Sequence, residues 1–171
     1  MIGVIHLTKN ELRQISCCFT GHRTILPEHA QQLPKLVYDK IIELHKQCYI
    51  NFLAGGALGF DTICAQAVLK AKQTYPSIRL ILVLPCKNQT YRWKQHDIDI
   101  YNDILNRADK AIYTSEYYNK SCMFKRNNFL VNYTSYCISY QYMSTGGTSY
   151  TVNLAQSNGL YVFNTVEVFN I

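Results

Sequence analysis

Residues 78–85 read Ile-Arg-Leu-Ile-Leu-Val-Leu-Pro, and this nearly continuous aliphatic run decides the fold. A strand with so few polar positions is buried on both faces, as strands in the centre of a parallel sheet are. Shorter apolar runs occur before and after it, and segments with helical spacing of apolar residues separate them. This alternation predicts an α/β fold with a doubly wound, mostly parallel sheet and helices on both faces.

The same pattern gives the order of elements along the chain. Predicted strands cover residues 15–20, 49–54, 78–85, 110–114, 136–140 and 161–164. Predicted helices cover residues 27–46, 59–75, 93–107, 123–132 and 149–158, and Gly159 caps the last of them. The first fourteen residues fit either an edge strand or a loose arm. No Pro- or Ser-rich linker divides the chain, so residues 1–171 are predicted to form a single domain.

Composition narrows the class of protein. The chain has 171 residues, of which 48% are hydrophobic and 16% charged, as expected for a globular domain with a substantial core. No apolar run approaches the roughly 20 residues that span a bilayer, and the first residues lack the features of a signal peptide. The seven cysteines include no Cys-x-x-Cys pair, which predicts reduced thiols in the cytoplasm and no metal site.

Three glycine-containing turns lie where a predicted strand ends and a helix begins. Glycine lets backbone N–H groups approach a ligand closely, and a helix N-terminus carries partial positive charge that favours phosphate. Because the carboxyl ends of parallel strands meet at one edge of a sheet, the turns are predicted to share one nucleotide site. The turns are Thr20-Gly21-His22-Arg23, Gly55-Gly56-Ala57-Leu58-Gly59-Phe60-Asp61 and Gly146-Gly147-Thr148-Ser149.

The candidate site also takes in a helical arginine and its neighbour, because a guanidinium can hold a phosphate as a charged fork. The predicted ligand-binding residues are Thr20, Gly21, His22, Arg23, Gly55, Gly56, Ala57, Gly59, Asp61, Arg126, Asn127, Gly146, Gly147 and Thr148.

Simpler roles stay open for several of these residues. Asp61 fits either a ribose contact or a stabiliser of the helix dipole, and Thr148 or Ser149 fits a helix N-cap. Arg126 fits a surface arginine equally well. Among the histidines, only His22 lies in a candidate turn; the surface is predicted for His6, His29, His45 and His96.

Taken together and in order, these motifs resemble the YpsA-like family of the SLOG superfamily, over roughly residues 15–164. The resemblance implies a Rossmann-like fold and a site for a nucleotide or a nucleotide-derived ligand. The three converging glycine turns predict a ligand of the ADP-ribose or NAD kind, and no cofactor besides it is predicted. Relatives in the superfamily include the DNA-processing protein DprA and the LOG phosphoribohydrolases. The motifs are Cys-Cys-Phe-Thr-Gly-His-Arg (17–23), Gly-Gly-Ala-Leu-Gly-Phe-Asp (55–61), Leu-Pro (84–85) followed by Gln89 and Trp93, Cys-Met-Phe-Lys-Arg-Asn (122–127) and Gly-Gly-Thr-Ser-Tyr-Thr-Val (146–152).

One departure bears on catalysis. The LOG enzymes carry Pro-Gly-Gly-x-Gly-Thr-x-x-Glu, and the position of that glutamate falls on Thr151 here. A hydroxyl cannot replace the carboxylate that cleavage of an N-ribosyl bond needs. The first hypothesis is therefore binding or sensing of the ligand without catalysis. The alternative is hydrolysis of an N-glycosidic or phosphoester bond, with Asp61 and Arg126 as catalytic candidates.

Charge and apolar stretches bear on two further kinds of partner, nucleic acid and a second copy of the chain. A third hypothesis is a DprA-like binder of single-stranded nucleic acid. The net charge of +6 permits it, but the basic residues look scattered along the sequence, which disfavours it. The aromatic stretch 113–118 and the apolar stretches 162–163 and 166–169 predict a homodimer. No membrane partner is predicted.

Overall fold

The computed structural model describes residues 7–169, which form one six-stranded sheet with helices around it. The strands are β1 Ser16–Gly21, β2 Asn51–Ala54, β3 Arg79–Leu84, β4 Lys110–Tyr113, β5 Tyr136–Tyr140 and β6 Tyr161–Asn164. The helices are α1 Lys9–Gln14, α2 Pro27–Ala30, α3 Leu33–Lys46, α4 Phe60–Thr74, α5 Gln95–Arg107, α6 Cys122–Asn132, α7 Gly146–Ser157 and α8 Thr165–Phe169.

The strand order is β4-β3-β2-β1-β5-β6, and every neighbouring pair is parallel. Strands β1 to β4 follow one another toward one edge of the sheet. The chain then returns to β1 and places β5 and β6 on its other side. The direction of winding therefore reverses between β1 and β5, whose register pairs Cys17 with Tyr136 and Gly21 with Tyr140. In open α/β sheets, ligands bind in the crevice outside the carboxyl ends of the strands at such a reversal.

Both faces of the sheet are covered, as the aliphatic run in β3 predicts. Leu80, Leu82 and Leu84 face a core that they share with α3 and α4. Val83 points to the opposite face and packs in a second core that includes Leu130 of α6. The α/β prediction, with a parallel sheet and helices on both faces, is confirmed.

Residues 9–14 form helix α1, so the prediction of an edge strand or a loose arm is wrong for them. Thr8 and Glu11 form a reciprocal capping box at the start of α1. The Arg13 side chain then donates hydrogen bonds to the backbone oxygens of Thr134 and Asn158, each at 2.8 Å, which fix the helix to the far end of the chain. Of the other residues in that prediction, 1–6 lie outside the described residues.

Apart from shifts of one or two residues at their ends, the helices differ from the sequence prediction in three further places. The predicted helix 27–46 is split into α2 and α3. The helix predicted from Ser149 begins at Gly146, so neither Thr148 nor Ser149 is its N-cap; Thr145 is, and its side chain makes no capping hydrogen bond. The short helix α8 follows β6, where no helix was predicted. No helix within residues 7–169 combines the length and apolar character that crossing a bilayer requires.

Candidate functional site

A cleft of about 380 Å³ opens at the carboxyl ends of β1 and β5, where the winding of the sheet reverses. Its walls come from the turn after β1, the turn after β2, one face of α6 and the first turn of α7. The residues that line it are Phe19, Thr20, Gly21, His22, Arg23, Ala57, Asp61, Met123, Arg126, Asn127, Leu130, Met143, Thr145, Gly146, Gly147, Thr148 and Thr151.

His22 joins two walls of the cleft. The Nε2 atom of its buried ring accepts a hydrogen bond from the Met143 backbone N–H at 3.3 Å, and the ring packs on Tyr142 with centroids 4.3 Å apart. Burial lowers the pKa of His22 below its ordinary value. Because Nε2 accepts a hydrogen bond, the ring is neutral. His22 therefore holds the loop that follows β5 against the turn that follows β1.

Arg23 is the exposed cation at the mouth of the cleft. Its side chain makes no salt bridge with any residue between 7 and 169. Its backbone is held by the second glycine turn, because a Cβ on Gly59 would lie 2.0 Å from the Arg23 carbonyl oxygen. Gly59 also has φ +76°, which side-chain-bearing residues rarely adopt. The turn thereby fixes the backbone of Arg23 and leaves its guanidinium free to contact a ligand.

Asp61 and Arg126 form a buried ion pair on the cleft wall. Asp61 Oδ2 accepts a hydrogen bond from the Ala57 N–H at 3.1 Å and lies 3.4 Å from Arg126 Nη1. Burial raises the pKa of Asp61, and the Arg126 guanidinium opposes that rise. Only 12% of the Arg126 side chain and 6% of the Asp61 side chain are exposed. Arg126 is therefore not the surface arginine of the simpler interpretation.

The guanidinium of Arg126 keeps unused hydrogen-bonding capacity. Its Nε is buried and has no hydrogen-bond partner among the described residues, which is rare for a buried polar atom. Gly55 makes room for this group, because a Cβ there would lie 1.6 Å from Nη1. Gly55 thus acts by positioning the arginine.

The first turn of α7 forms another part of the cleft lining. Gly146 and Gly147 lie here with open space beside them, since a Cβ added to either would meet no atom within 4 Å. The first amides of an α-helix have no partner within the helix and carry partial positive charge. Thr151 Oγ1 donates a hydrogen bond to the Gly147 carbonyl oxygen at 2.9 Å. The hydroxyl at the position of the LOG glutamate is thus tied to the helix backbone.

The cleft gathers most of the predicted site residues but not all of them. Gly55, Gly56 and Gly59 do not line it. Gly56 packs against Leu84, and its carbonyl oxygen accepts a hydrogen bond from Gln89 Nε2 at 2.5 Å. The second turn therefore contributes only Ala57 and Asp61 to the cleft surface. Its glycines shape the turn by allowing close packing around it.

Several cleft residues were missing from the sequence prediction. On α6, Met123 and Leu130 flank Arg126 and Asn127 at spacings of three, four and seven residues, so helical periodicity around Arg126 could have found them. Met143 lies in an irregular loop and carried no such signal. The residues missed are Phe19, Met123, Leu130, Met143, Thr145 and Thr151.

The surface prediction for His29 is wrong. Its ring is buried, with Nδ1 at 2.9 Å from the Tyr140 hydroxyl and the ring stacked on Phe169. The helix start at Pro27 turns this residue inward, against the C-terminal part of the chain. His96 is exposed and His45 half-buried, while His6 lies outside the described residues. Within residues 7–169, no cluster of three His, Cys, Asp or Glu side chains could hold a metal ion.

Comparison with known families identifies the chain. The YpsA family, described as the YspA SLOG family, matches residues 19–169. The chain belongs to this family. Among its relatives, UPF0398 protein BH1768 of Halalkalibacterium halodurans is 28% identical over 156 residues, covering 90% of this chain and 80% of the relative. The SPbeta prophage-derived protein YoqJ of Bacillus subtilis is 27% identical over 127 residues, covering 67% of this chain and 74% of YoqJ.

Solved structures share the fold of this YpsA family member. DNA processing protein A (DprA) of Streptococcus pneumoniae superposes with a TM-score of 0.63 at 16% identity, covering 90% of this chain and 50% of DprA. DprA of Helicobacter pylori, whose structure is described for its single-stranded DNA binding mode, superposes with a TM-score of 0.62 at 20% identity. The match covers 89% of this chain and 65% of the Helicobacter pylori chain. At these identities the likeness establishes the Rossmann-like architecture alone.

Proposed function

We propose that this YpsA family member binds a nucleotide or nucleotide-derived ligand, of the ADP-ribose or NAD kind, in the cleft between β1 and β5. The observation that carries the proposal is the arrangement around its open space. The first turn of α7 lines the cleft with Gly146 and Gly147, which have open space beside them, and Arg23 and Arg126 line it elsewhere. Helix N-terminal amides and arginines are the groups with which proteins recognise phosphate.

The rest of the cleft suits the uncharged part of such a ligand. Met123, Leu130 and Met143 supply apolar surface, and the Asn127 side chain supplies an amide. Small-molecule sites commonly combine a mostly apolar lining with a few polar groups, in volumes of roughly 300–1,000 Å³. The cleft, at about 380 Å³, is near the lower end of that range. A base or ribose would pack on the methionines while phosphate occupies the α7 end.

Thermal-shift measurements with mononucleotides, NAD and ADP-ribose test the proposal. A ligand present at 100 times its dissociation constant adds about 2.7 kcal/mol to the stability of the folded state, which shifts the melting temperature measurably. If a broad panel leaves the melting temperature unchanged, the proposal is wrong.

Calorimetry on variants tests whether the ligand occupies this cleft. Arg23→Gln should weaken binding by about 1.5–3 kcal/mol, the range for a hydrogen bond to a charged group. Arg79→Gln is the matched control, because Arg79 is exposed at the amino end of β3, on the opposite edge of the sheet. Equal loss in both variants would indicate a nonspecific charge effect and contradict the assignment of the cleft.

Hydrolysis of the bound ligand is the second candidate function, and Asp61 is the observation that favours it. Its carboxylate lines the cleft, and burial raises its pKa toward values at which a carboxyl group can exchange protons with substrate. Chromatography of NAD, ADP-ribose and nucleoside monophosphates after incubation with the protein would detect a base released from an N-glycosidic bond or the fragments of a cleaved phosphoester. A product formed by the native protein but not by folded Asp61→Asn would support catalysis. If no product forms, ligand binding without catalysis is the function that stands.

A further inference from the structure

Two loops at the carboxyl edge of the sheet form one continuous surface outside the cleft. They are residues 85–94, which follow β3, and residues 114–121, which follow β4; we call them, with Lys125 beside them in α6, the loop surface. The Lys87 N–H donates a hydrogen bond to the Glu116 carbonyl oxygen at 3.1 Å. None of these residues lines the cleft.

Three tyrosines on the loop surface extend into solvent. Tyr91 is 82% exposed, Tyr117 67% and Tyr118 65%. Asn88 links two of them: its Oδ1 accepts a hydrogen bond from the Tyr118 N–H at 3.1 Å, and its carbonyl oxygen accepts one from the Tyr91 N–H at 3.3 Å. The backbones that carry Tyr91 and Tyr118 are therefore joined through Asn88, and both side chains are exposed on the loop surface. Large exposed apolar groups on one surface mark interaction sites.

The loop surface also concentrates positive charge that looks scattered along the sequence. Five cations and the single anion Glu116 give it a formal charge of +4, against +6 for the whole chain. Only one of the five cations, Lys87, forms a salt bridge within residues 7–169, with Glu116 at 3.3 Å. The cations are Lys87, Arg92, Lys94, Lys120 and Lys125, and all are exposed.

We propose that the loop surface binds single-stranded nucleic acid. Exposed aromatic rings stack on unpaired bases, and nearby lysines and arginines contact the phosphate backbone. A duplex keeps its base faces inside the stack, so the tyrosines would add little to its binding. An acidic peptide would use the cations but offers no row of flat rings to stack on. The combination of rings and cations favours single strands.

Fluorescence anisotropy with a labelled oligothymidylate tests the proposal. Tyr91→Ala and Tyr118→Ala should each weaken binding by about 5- to 150-fold, because stacking on one aromatic side chain contributes about 1–3 kcal/mol per base. Tyr161→Ala is the matched control: Tyr161 is 65% exposed but begins β6, away from the loop surface, and its removal should leave affinity unchanged.

Salt titrations test the phosphate contacts. Lys120→Gln should lower the slope of log affinity against log salt concentration by about 0.7, the value for one phosphate contact on a single strand. Lys46→Gln should leave the slope unchanged, because Lys46 is exposed at the end of α3 and lies outside the loop surface.

Several results would overturn the proposal. If the protein binds no oligonucleotide, or binds a duplex or polyglutamate with the same affinity as a single strand, the proposal is contradicted. Binding that depends on Arg23 but not on Tyr91 or Tyr118 also contradicts it. A doubled mass in light scattering that Tyr117→Ala abolishes would mean that a second copy covers the surface. The cleft proposal is judged separately, because the loop-surface variants should leave nucleotide-induced thermal shifts intact.

Discussion

Gly147 and Gly55 illustrate, at the scale of single residues, two different reasons for a glycine near a site. A Cβ on Gly147 meets no atom of the described chain within 4 Å, whereas one on Gly55 would lie 1.6 Å from Arg126 Nη1. Close packing therefore accounts for Gly55, whereas no such packing accounts for Gly147, where we propose that a ligand binds. Alanine at the two positions should have opposite effects.

Gly147→Ala should keep or raise stability while weakening nucleotide binding. Replacing glycine by alanine in a helix adds up to about 1 kcal/mol of stability, and less in a first turn. The new methyl group would occupy the space from which phosphate reaches the helix amides, which should weaken binding by about 1.5–3 kcal/mol. Urea unfolding and calorimetry on the same sample check both effects. Unchanged affinity would contradict the phosphate position.

Gly55→Ala should destabilise the protein, because its methyl group would displace Arg126 from Asp61. Breaking a buried ion pair costs about 3–5 kcal/mol, since one charge is left unpaired. Urea unfolding measures the loss, with Gly147→Ala as the matched control. A loss below about 1 kcal/mol would show that Arg126 relaxes around the new methyl group without losing its partner.

Arg126→Gln should make stability depend on pH through Asp61. Burial already raises the pKa of Asp61, and removing the opposing guanidinium raises it further. Because the pKa of Asp61 is then higher in the folded chain than in the unfolded chain, the protein is most stable below the unfolded pKa of about 3.9. This stability is lost as pH rises through the folded pKa. The deficit of the variant relative to the native protein should therefore shrink as pH falls from about 7 toward 4. Urea unfolding across that range checks it; a constant deficit would contradict the assignment.

At the scale of elements, His22 couples the turn after β1 to the loop before α7. Burial lowers the pKa of His22 in the folded chain. At pH values between this lowered pKa and the unfolded pKa of about 6.5, the unfolded chain therefore binds more protons than the folded chain. Stability is therefore complete above about pH 6.5 and falls as pH falls toward the folded pKa. His22→Gln should flatten this part of the profile, whereas His96→Gln, at an exposed position, should not. Equal profiles in both variants would contradict the role of His22.

The elements also show what the sequence could predict. The strands were predictable because burial on both faces demands aliphatic runs such as that of β3. The start of α7 was missed because two glycines favour a turn, although here the helix begins at Gly146. Helix α1 was missed although Thr8 and Glu11 carry the spacing of a capping box.

The candidate site was predictable to the extent that strand ends converge in a parallel sheet. The turn after β1, Asp61, Arg126 and the α7 glycines therefore lie around one cleft. The inward packing of Gly55, Gly56 and Gly59 was not predictable, because it depends on side chains and backbone from distant parts of the chain. The gathering of cations on the loop surface depends in the same way on the adjacency of β3 and β4.

At the scale of the whole molecule, the homodimer expected from the sequence stays a prediction. Of its three apolar stretches, 113–118 belongs largely to the loop surface, and Lys40 covers the ring of Phe163. In the stretch 166–169, Val166 is buried but Val168 is 39% exposed on α8. We expect a mass of twice 19.8 kDa by light scattering, lost in Val168→Asp and kept in Tyr117→Ala. A native mass of 19.8 kDa would contradict it.

The position of β1 between β2 and β5 has a consequence for synthesis of the chain. On the ribosome, β1 pairs with β2 early, but its other edge stays open until β5 emerges, after β3 and β4. An open edge of apolar strand is a template for pairing with other chains. Nascent chains stalled before residue 136 should therefore be especially prone to aggregate and to recruit chaperones. The same late pairing closes the cleft, so a ligand could bind only after most of the chain has been made.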